Sequence, residues 1–297
     1  LVVSTNPASR WDIAVGGSVN NVVAIIDLHA MYESMMLEQI SFKLAPTAYA
    51  GDINRVGIWD GATKIGEGYF FVNTLTSTIV LDSYLYILEN GMKTLAVRCD
   101  FADIGIADPG RTGHIVKIDY DDTHPENSYA VSLTTGNRAF LSGATDSQGV
   151  LLVRSFPFIT QEPLSSVGLA DGRLIAFSMQ AHHMAPIGLG KVSFAFLGTG
   201  VSDIGVTLYA YTDPSFTQPV TGFAPDGALA PEQVITPTLG ANNLAEIFPQ
   251  VEGVLKTLEI PAGTEYYFLL RGSLLTEANA VLTTFLPTEE VGQVVGT

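Results

Sequence analysis

An acidic run in the first half of the chain contains the residues with the clearest potential for metal chemistry. Asp119, Asp121 and Asp122 lie within four residues of one another. Carboxylate oxygens are ligands that Ca²⁺ prefers in protein loops. The run lacks the alternating Asp spacing and central Gly of an EF-hand, so a solvated acidic turn is the alternative. Asp100 and Asp103 form a second candidate, and no other cofactor is predicted.

The histidines and hydroxyl groups do not form a recognisable catalytic pattern. His182 and His183 are adjacent, and neighbours in a strand point to opposite faces of a sheet, so they are not expected to share a metal. No Gly-x-Ser-x-Gly nucleophile motif or phosphate-binding Gly-rich loop occurs. We therefore predict that the protein is not an enzyme. A secreted hydrolase with two converging carboxylates stays open, because such a pair has no sequence signature.

The charge of the chain limits its partners. It carries 30 acidic and 14 basic residues, a net charge of −16, which argues against nucleic acid and anionic lipid. Charged residues make up 15% of the sequence, against about 25% in globular proteins. A surface so poor in charge predicts contact with neighbouring subunits. Cys99 is the single cysteine, which excludes an intrachain disulfide and predicts a buried side chain.

Short alternating segments predict the elements that carry these residues. Apolar and polar residues alternate in Ile40–Leu44, Val192–Phe196 and Val206–Tyr211. Such alternation places one set of side chains in a core and the other in solvent. Gly, Pro, Asn and Asp interrupt the segments, and Asp60-Gly61 favours a tight hairpin. The sequence therefore predicts an all-β protein made of antiparallel β-sandwiches.

An internal repeat divides the chain. Residues 22–44 and 174–196 align without a gap, with Phe42 matched to Phe194. Farther along, Trp59 matches Tyr209. The repeat predicts two tandem Ig-like antiparallel β-sandwich domains. The predicted divisions are an N-terminal strand (1–16), a first sandwich (17–149), a second sandwich (150–287) with a long loop at 223–247, and a C-terminal tail (288–297).

Several segments resemble a known group of proteins. The segment 208–216 reads LYAYTDPSF, 56–61 reads VGIWDG and 260–263 reads IPAG. They resemble the exported tandem β-sandwich surface proteins of ultra-small, reduced-genome bacteria, which are often described as surface-layer-like or peptidoglycan-binding. The resemblance covers most of the chain. It implies a sandwich fold and a cell-surface location, and it supplies no catalytic residues.

The sequence favours a structural role. We predict an extracellular homopolymer subunit, of a pilus-like filament or surface layer, which pairs strand edges or lends a donor strand to other copies of itself. A cell-surface adhesin or glycan-binding module, using residues 212–235 or Tyr69–Phe71, is the alternative. No stretch has the about 20 apolar residues of a membrane span, and the start without Met predicts a processed, exported chain. The apolar residues predicted to link subunits are Leu1, Val2, Val3, Trp11, Ile13, Val15, Val291, Val294 and Val295.

Overall fold

The structure is a computed structural model of the chain. It describes residues 1–46, 48–71, 74–105, 108–164, 172–237 and 243–287. Strands account for nearly all of the regular structure there, with two short 3₁₀ turns at Ala50–Asp52 and Pro125–Asn127. The predicted all-β class is confirmed. None of the helices in these ranges is long and apolar enough to cross a membrane.

The chain divides into two compact units, Leu1–Arg154 and Ser155–Thr297. The strands of the first unit are β1 (Val2–Thr5), β2 (Asp12–Val15), β3 (Asn21–His29), β4 (Met35–Leu44), β5 (Ile53–Asp60), β6 (Thr63–Gly68), β7 (Thr76–Ile87), β8 (Met92–Phe101), β9 (Ile115–Val116), β10 (Ile118–Tyr120), β11 (Tyr129–Ser132), β12 (Arg138–Phe140), β13 (Ser142–Gly143) and β14 (Val150–Val153).

The first unit is a sandwich made from one continuous sheet. The strand order is β12-β11-β4-β7-β6-β5-β8-β3-β1-β13, with β10 also beside β4. Among the described residues, β6 and β7 are joined by the single pair Gly66–Leu81, so the sheet can fold over at this point. Ile58 and Val97 on one side share a core with Phe42 and Ile79 on the other, and all four are fully buried. A smaller sheet, β2-β14-β9, closes the unit.

The second unit is built around two long strands. Its strands are β15 (Pro157–Glu162), β16 (Arg173–Ala181), β17 (Ile187–Leu189), β18 (Val192–Tyr211), β19 (Gln233–Ile235), β20 (Asn243–Ile247), β21 (Gln250–Val251), β22 (Val254–Leu255), β23 (Leu258–Ile260) and β24 (Glu265–Phe285). The main sheet runs β15-β16-β24-β18-β19, and β20 also pairs with β18. The predicted loop at 223–247 thus contributes β19 and β20, because its Val and Ile residues pair along the edge of β18.

The long strand β18 supplies both sides of the second core. Phe194 near its start and Leu208 near its end are fully buried in the same cluster. The register between β18 and β24 shifts between Thr199 and Ile204. Such irregularities bend a strand, which allows its two halves to close on one core.

The two units use the same order of four strands. In the first unit β1, β3, β8 and β5 are neighbours, and in the second β15, β16, β24 and β18 take those places. The structure corrects the gapless alignment by one residue at the first core strand. Ile26 pairs with Leu95, and Phe177 pairs with Phe268, so Phe177 corresponds to Ile26 rather than Ile25. A one-residue shift exchanges the faces of a strand, so the gapless alignment assigns the wrong residues of this strand to the core. Both units carry a β-bulge at the corresponding place, between Val22 and Ala24 and between Arg173 and Ile175.

The N-terminal strands belong to the first unit. Strand β1 pairs with β3 over four residues, and Val3 is buried. Strand β2 pairs with β14, and Ala14 and Val15 are buried. In the single chain these segments therefore pair within their own unit. Strand β14 begins at Val150, so this part of the predicted second sandwich lies in the first unit.

Candidate ligand-binding cleft

The outer face of β5 and β8 presents a row of polar and aromatic side chains. Val56 and Ile58 of β5 are fully buried, so the alternation directs Arg55 and Trp59 to the opposite face. Likewise Val97 and Cys99 of β8 are buried, while Arg98 and Asp100 face outward. A cleft of about 230 Å³ lies on this face, lined by Asn20, Arg55, Gly57, Trp59, Lys64, Arg98 and Asp100.

Asp100 organises one side of the cleft. Its Oδ2 accepts hydrogen bonds from Arg55 Nε at 2.9 Å and Nη2 at 2.6 Å. Its Oδ1 accepts the backbone N–H of Asn20 at 2.8 Å. Asn20 has a φ of 59°, a conformation that favours Gly or Asn and that this hydrogen bond supports. The hydrogen bond to Asp100 also raises the pKa of Arg55 above its ordinary value.

Glu67 neutralises cations on the other side of the cleft. Its carboxylate accepts a hydrogen bond from Lys64 Nζ and one from Arg55 Nη1 at 3.2 Å. The hydrogen bond from Lys64 lowers the pKa of Glu67 below its ordinary value. Arg55 and Lys64 are therefore both paired with carboxylates.

Arg98 is different from the other two cations of the cleft. Its guanidinium carbon lies 4.6 Å from the centroid of the Trp59 ring, a cation–π arrangement. Its Nε is buried and has no hydrogen-bond partner among the described residues. Within that same part of the chain, none of the ion pairs includes Arg98. The cleft thus contains one guanidinium that is not neutralised by a carboxylate.

Gly57 forms the floor of the cleft, and Cys99 lies behind it in the core. A Cβ on Gly57 would lie 3.3 Å from Trp59 Nε1 and 3.6 Å from Lys64 Cδ, so the missing side chain keeps this space open. Cys99 lies on the core side of β8, and burial raises the pKa of its thiol. A raised pKa keeps the thiol protonated and unreactive, so the chemistry of the cleft is that of Arg, Lys, Trp and Asn.

The second unit repeats part of this arrangement. Arg271 lies over the Tyr209 ring at 5.3 Å from the centroid. Arg98 pairs with Gly57, and Arg271 pairs with Thr207. Thr207 therefore occupies the place of the floor glycine. The pair Arg55–Asp100 corresponds to Gly205–Ser273, which carries no charge.

The predicted calcium residues have separate partners in the first unit. Asp119 accepts hydrogen bonds from Ser147 N at 2.7 Å and Thr145 Oγ1 at 3.1 Å. Asp121 is fully buried and bonds to Thr123 and His124, whereas Asp122 bonds to Lys43. Burial raises the pKa of Asp121, but the hydrogen bonds from Thr123 and His124 outweigh this and lower it. No group of three acidic, His or Cys side chains converges to hold a metal in the described ranges.

His182 and His183 do not lie in a strand, contrary to the prediction. They follow β16 in a turn, and their ring centroids are 4.2 Å apart. Phe156 and Phe158 pack against His182 at 5.5 Å and 6.0 Å. Burial, and secondarily the charge of His183, lower the pKa of His182 below its ordinary value.

The predicted assembly residues fall into three groups. Leu1, Val2, Val3 and Val15 contribute to the first unit, and Val3 and Val15 are buried. Trp11 and Ile13 are 49% and 36% exposed around β2. Val291, Val294 and Val295, with the predicted tail at 288–297, lie outside the described residues. Of the aromatic residues suggested for an adhesin, Tyr69 and Phe71 are exposed and Phe70 is buried.

Sequence reasoning did not predict the cleft as a site. The sequence analysis treats Trp59 as a landmark equivalent to Tyr209 and Asp100 as a candidate calcium ligand. The alternating patterns Arg55-x-Gly57-x-Trp59 and Arg98-x-Asp100 give the available signal, since each places its residues on one face of a strand. Neither pattern indicates that β5 pairs with β8.

Comparison with known proteins adds little to this geometry. No family model and no curated protein matches the chain. A serine-rich repeat protein of Streptococcus agalactiae aligns over 100% of this chain and 95% of its own, with 8% identity and a TM-score of 0.20. A serine-rich repeat adhesion glycoprotein of the same species aligns over 97% and 95%, with 12% identity and a TM-score of 0.18. The type II cohesin dyad of the Acetivibrio cellulolyticus adaptor scaffoldin aligns over 95% and 86%, with 10% identity and a TM-score of 0.22. These scores carry no functional argument, and the resemblance to surface proteins of ultra-small bacteria stays a prediction.

Proposed function

We propose that the protein is an extracellular, cell-surface binding protein of the adhesin type, and that its first unit binds a glycan in the cleft beside Trp59. The observation that carries the proposal is the Arg98 guanidinium, which lies over an aromatic ring beside an open floor and has no ion-pair partner among the described residues. Binding sites combine an apolar surface with a few well-placed polar groups. The cleft has both, on a rigid pair of strands.

The composition supports the same role. Only 14 of the 297 residues are Lys or Arg, and three of them line the cleft. The net charge of −16 disfavours nucleic acid as the partner. A low-charge β-sandwich with a positively charged cleft is suited to an uncharged or weakly acidic glycan.

A glycan array tests this function. The full chain, fluorescently labelled, should bind a limited set of glycans saturably. Trp59→Ala should abolish or weaken that binding at least tenfold, because it removes the aromatic wall of the cleft. Tyr209→Ala is the matched control, since it removes the equivalent ring of the second unit. Absence of any saturable ligand, or equal losses in both variants, would overturn the proposal.

A homopolymer subunit is the second candidate, and the exposure of Trp11 and Ile13 favours it. Among the described strands, β2 pairs on one side only, with β14. An open strand edge is a site where another copy can add a strand. A lent donor strand would instead require β1 or β2 to leave its own unit. Asp12 Oδ1 already accepts the N–H of Ile13 at 2.8 Å, so an added strand would have to displace this bond.

Point variants test assembly without removing β2. Trp11→Ser combined with Ile13→Thr should reduce polymer formation, measured by light scattering and negative-stain microscopy. Val19→Thr is the control, because Val19 is 63% exposed outside any strand. Unchanged polymers in the double variant would exclude this edge. The carboxylate-pair hydrolase remains a prediction, which release of reducing sugar from bound glycans would test.

A further inference from the structure

We infer that the cleft selects a single sugar ring bearing one carboxylate, such as a uronic acid. This inference rests on the proposed glycan-binding function and specifies its ligand. The inference is supported by the position of the Arg98 guanidinium, which lies beside Trp59 and above the floor formed by Gly57 and is in no ion pair among the described residues.

The distribution of charge points to one anionic group. Arg55 is held by Asp100 and Glu67, and Lys64 is held by Glu67. Arg98 is in no ion pair among the described residues, and its buried Nε has no hydrogen-bond partner there. A guanidinium matches a carboxylate through two parallel N–H···O bonds, which makes it selective for that group. One guanidinium without a carboxylate partner therefore indicates that the ligand carries one carboxylate.

The surroundings of Arg98 favour a sugar ring over a bare carboxylate. Trp59 provides apolar ring surface, which suits the C–H faces of a pyranose. Asn20 lines the same space, and an amide side chain can both donate to and accept from sugar hydroxyl groups. An acetate ion or an acidic peptide side chain would bind Arg98 but would make no contact that requires Trp59 or Asn20.

The size of the cleft limits the ligand to one ring. Its volume is about 230 Å³, below the ~300–1,000 Å³ of pockets that enclose drug-sized ligands. The net charge of −16 also repels polyanions at long range, which disfavours more highly charged ligands.

Binding of D-glucuronate to the full chain tests the inference, with D-glucose as its neutral counterpart and N-acetylglutamate as a carboxylate without the sugar ring. Titration calorimetry or ligand-observed NMR should detect glucuronate binding at least tenfold tighter than that of the other two. The affinity should fall with added salt, because the interaction is between opposite charges. Equal binding of glucose, or of N-acetylglutamate, would overturn the inference.

Three variants assign the binding to this cleft. Arg98→Gln should lower the glucuronate affinity at least tenfold and remove the preference over glucose. Gly57→Thr, which introduces the residue found at Thr207, should block the cleft while leaving the fold intact by circular dichroism. Arg271→Gln is the control and should leave binding unchanged. Glucuronate binding that survives both Arg98→Gln and Gly57→Thr would place it elsewhere and overturn the inference.

The outcomes separate this inference from the proposed function. If the array identifies a neutral glycan whose binding depends on Trp59 but not on Arg98, the inferred selectivity for a carboxylate is wrong, whereas the proposed glycan-binding function stands. If neither the array nor the titrations reveal a ligand, both are wrong. Should Arg98→Gln fail to fold, Gly57→Thr decides. A Cβ at position 57 would lie 3.6 Å from Gly66 O and from Lys64 Cδ, which is ordinary contact, and 3.3 Å from Trp59 Nε1, so a small shift of the Trp59 ring accommodates it.

Discussion

The guanidinium of Arg98 lies over the ring of Trp59, and Arg271 takes the same position over Tyr209. In each unit the arginine pairs with the residue two positions before the aromatic ring, which is Gly57 or Thr207. Diagonal neighbours on adjacent strands are within reach of long side chains. The two units thus share an outward-facing contact as well as a strand order.

Double-mutant cycles should measure this contact in both units. We expect coupling free energies of about 0.5–1 kcal/mol for Trp59 with Arg98 and for Tyr209 with Arg271, the range for cation–π pairs near the surface. Urea denaturation of the single and double alanine variants gives each value. Additive effects in both cycles would mean that the rings and guanidinium groups are adjacent without stabilising one another.

The matched core positions Phe42 and Phe194 should be equally sensitive. Both side chains are fully buried, and replacing a buried Phe by Ala costs about 3–5 kcal/mol through lost burial and the remaining cavity. Phe42→Ala and Phe194→Ala should each lower the free energy of unfolding of their own unit by that amount. Tyr32→Ala and Leu255→Ala are controls, since these side chains are 84% and 70% exposed, and should change stability by less than about 0.5 kcal/mol.

Alternation along single strands made the all-β class predictable. Val206–Tyr211 keeps a strict alternation, and the structure buries Val206, Leu208 and Ala210 as the pattern requires. The matching of Trp59 with Tyr209 also agrees with the structure, because both lie on the outer face beside an arginine. Local periodicity therefore predicts those features that depend on a single strand.

Features that depend on register or pairing were not predictable. The gapless alignment places Phe177 opposite Ile25, whereas the strand pairing makes Phe177 equivalent to Ile26. The cleft joins Trp59 to Arg98, which are adjacent only because β5 pairs with β8. The sequence gives no direct signal for such a long-range pair, since its formation depends on the whole sheet.

His182 should make stability depend on pH. Its folded-state pKa is lowered by burial and by His183, so the unfolded state binds the proton more readily. Stability from this site is therefore fully present above the ordinary pKa of about 6.5 and is lost as the pH falls through the window below it. Urea denaturation between pH 7.5 and about 5 should show a decline that is shallower in His182→Gln.

A second histidine provides the control for this effect. His29 lies in β3 of the first unit, outside the ring cluster that Phe156, Phe158 and His183 form around His182. His29→Gln should retain the wild-type decline below pH 6.5. A decline that is equally steep in His182→Gln would show that the histidine pair does not cause it.

Asp52 should anchor the segment that contains Arg111 and His114. Its carboxylate is fully buried, accepts the N–H of Arg111 at 2.9 Å and bonds to His114 Nδ1 at 2.7 Å. Asp52→Ala removes two hydrogen bonds to a buried carboxylate, and a hydrogen bond contributes about 0.5–1.5 kcal/mol net, or about 1.5–3 kcal/mol to a charged group. We expect a loss of about 2–3 kcal/mol in the free energy of unfolding, with faster hydrogen exchange at the Arg111 amide. Asp82→Ala, at an exposed position of β7, should change neither quantity. If Asp52→Ala leaves the Arg111 amide as protected as in the wild type, the carboxylate does not hold this segment, because the lost hydrogen bond would expose that amide directly.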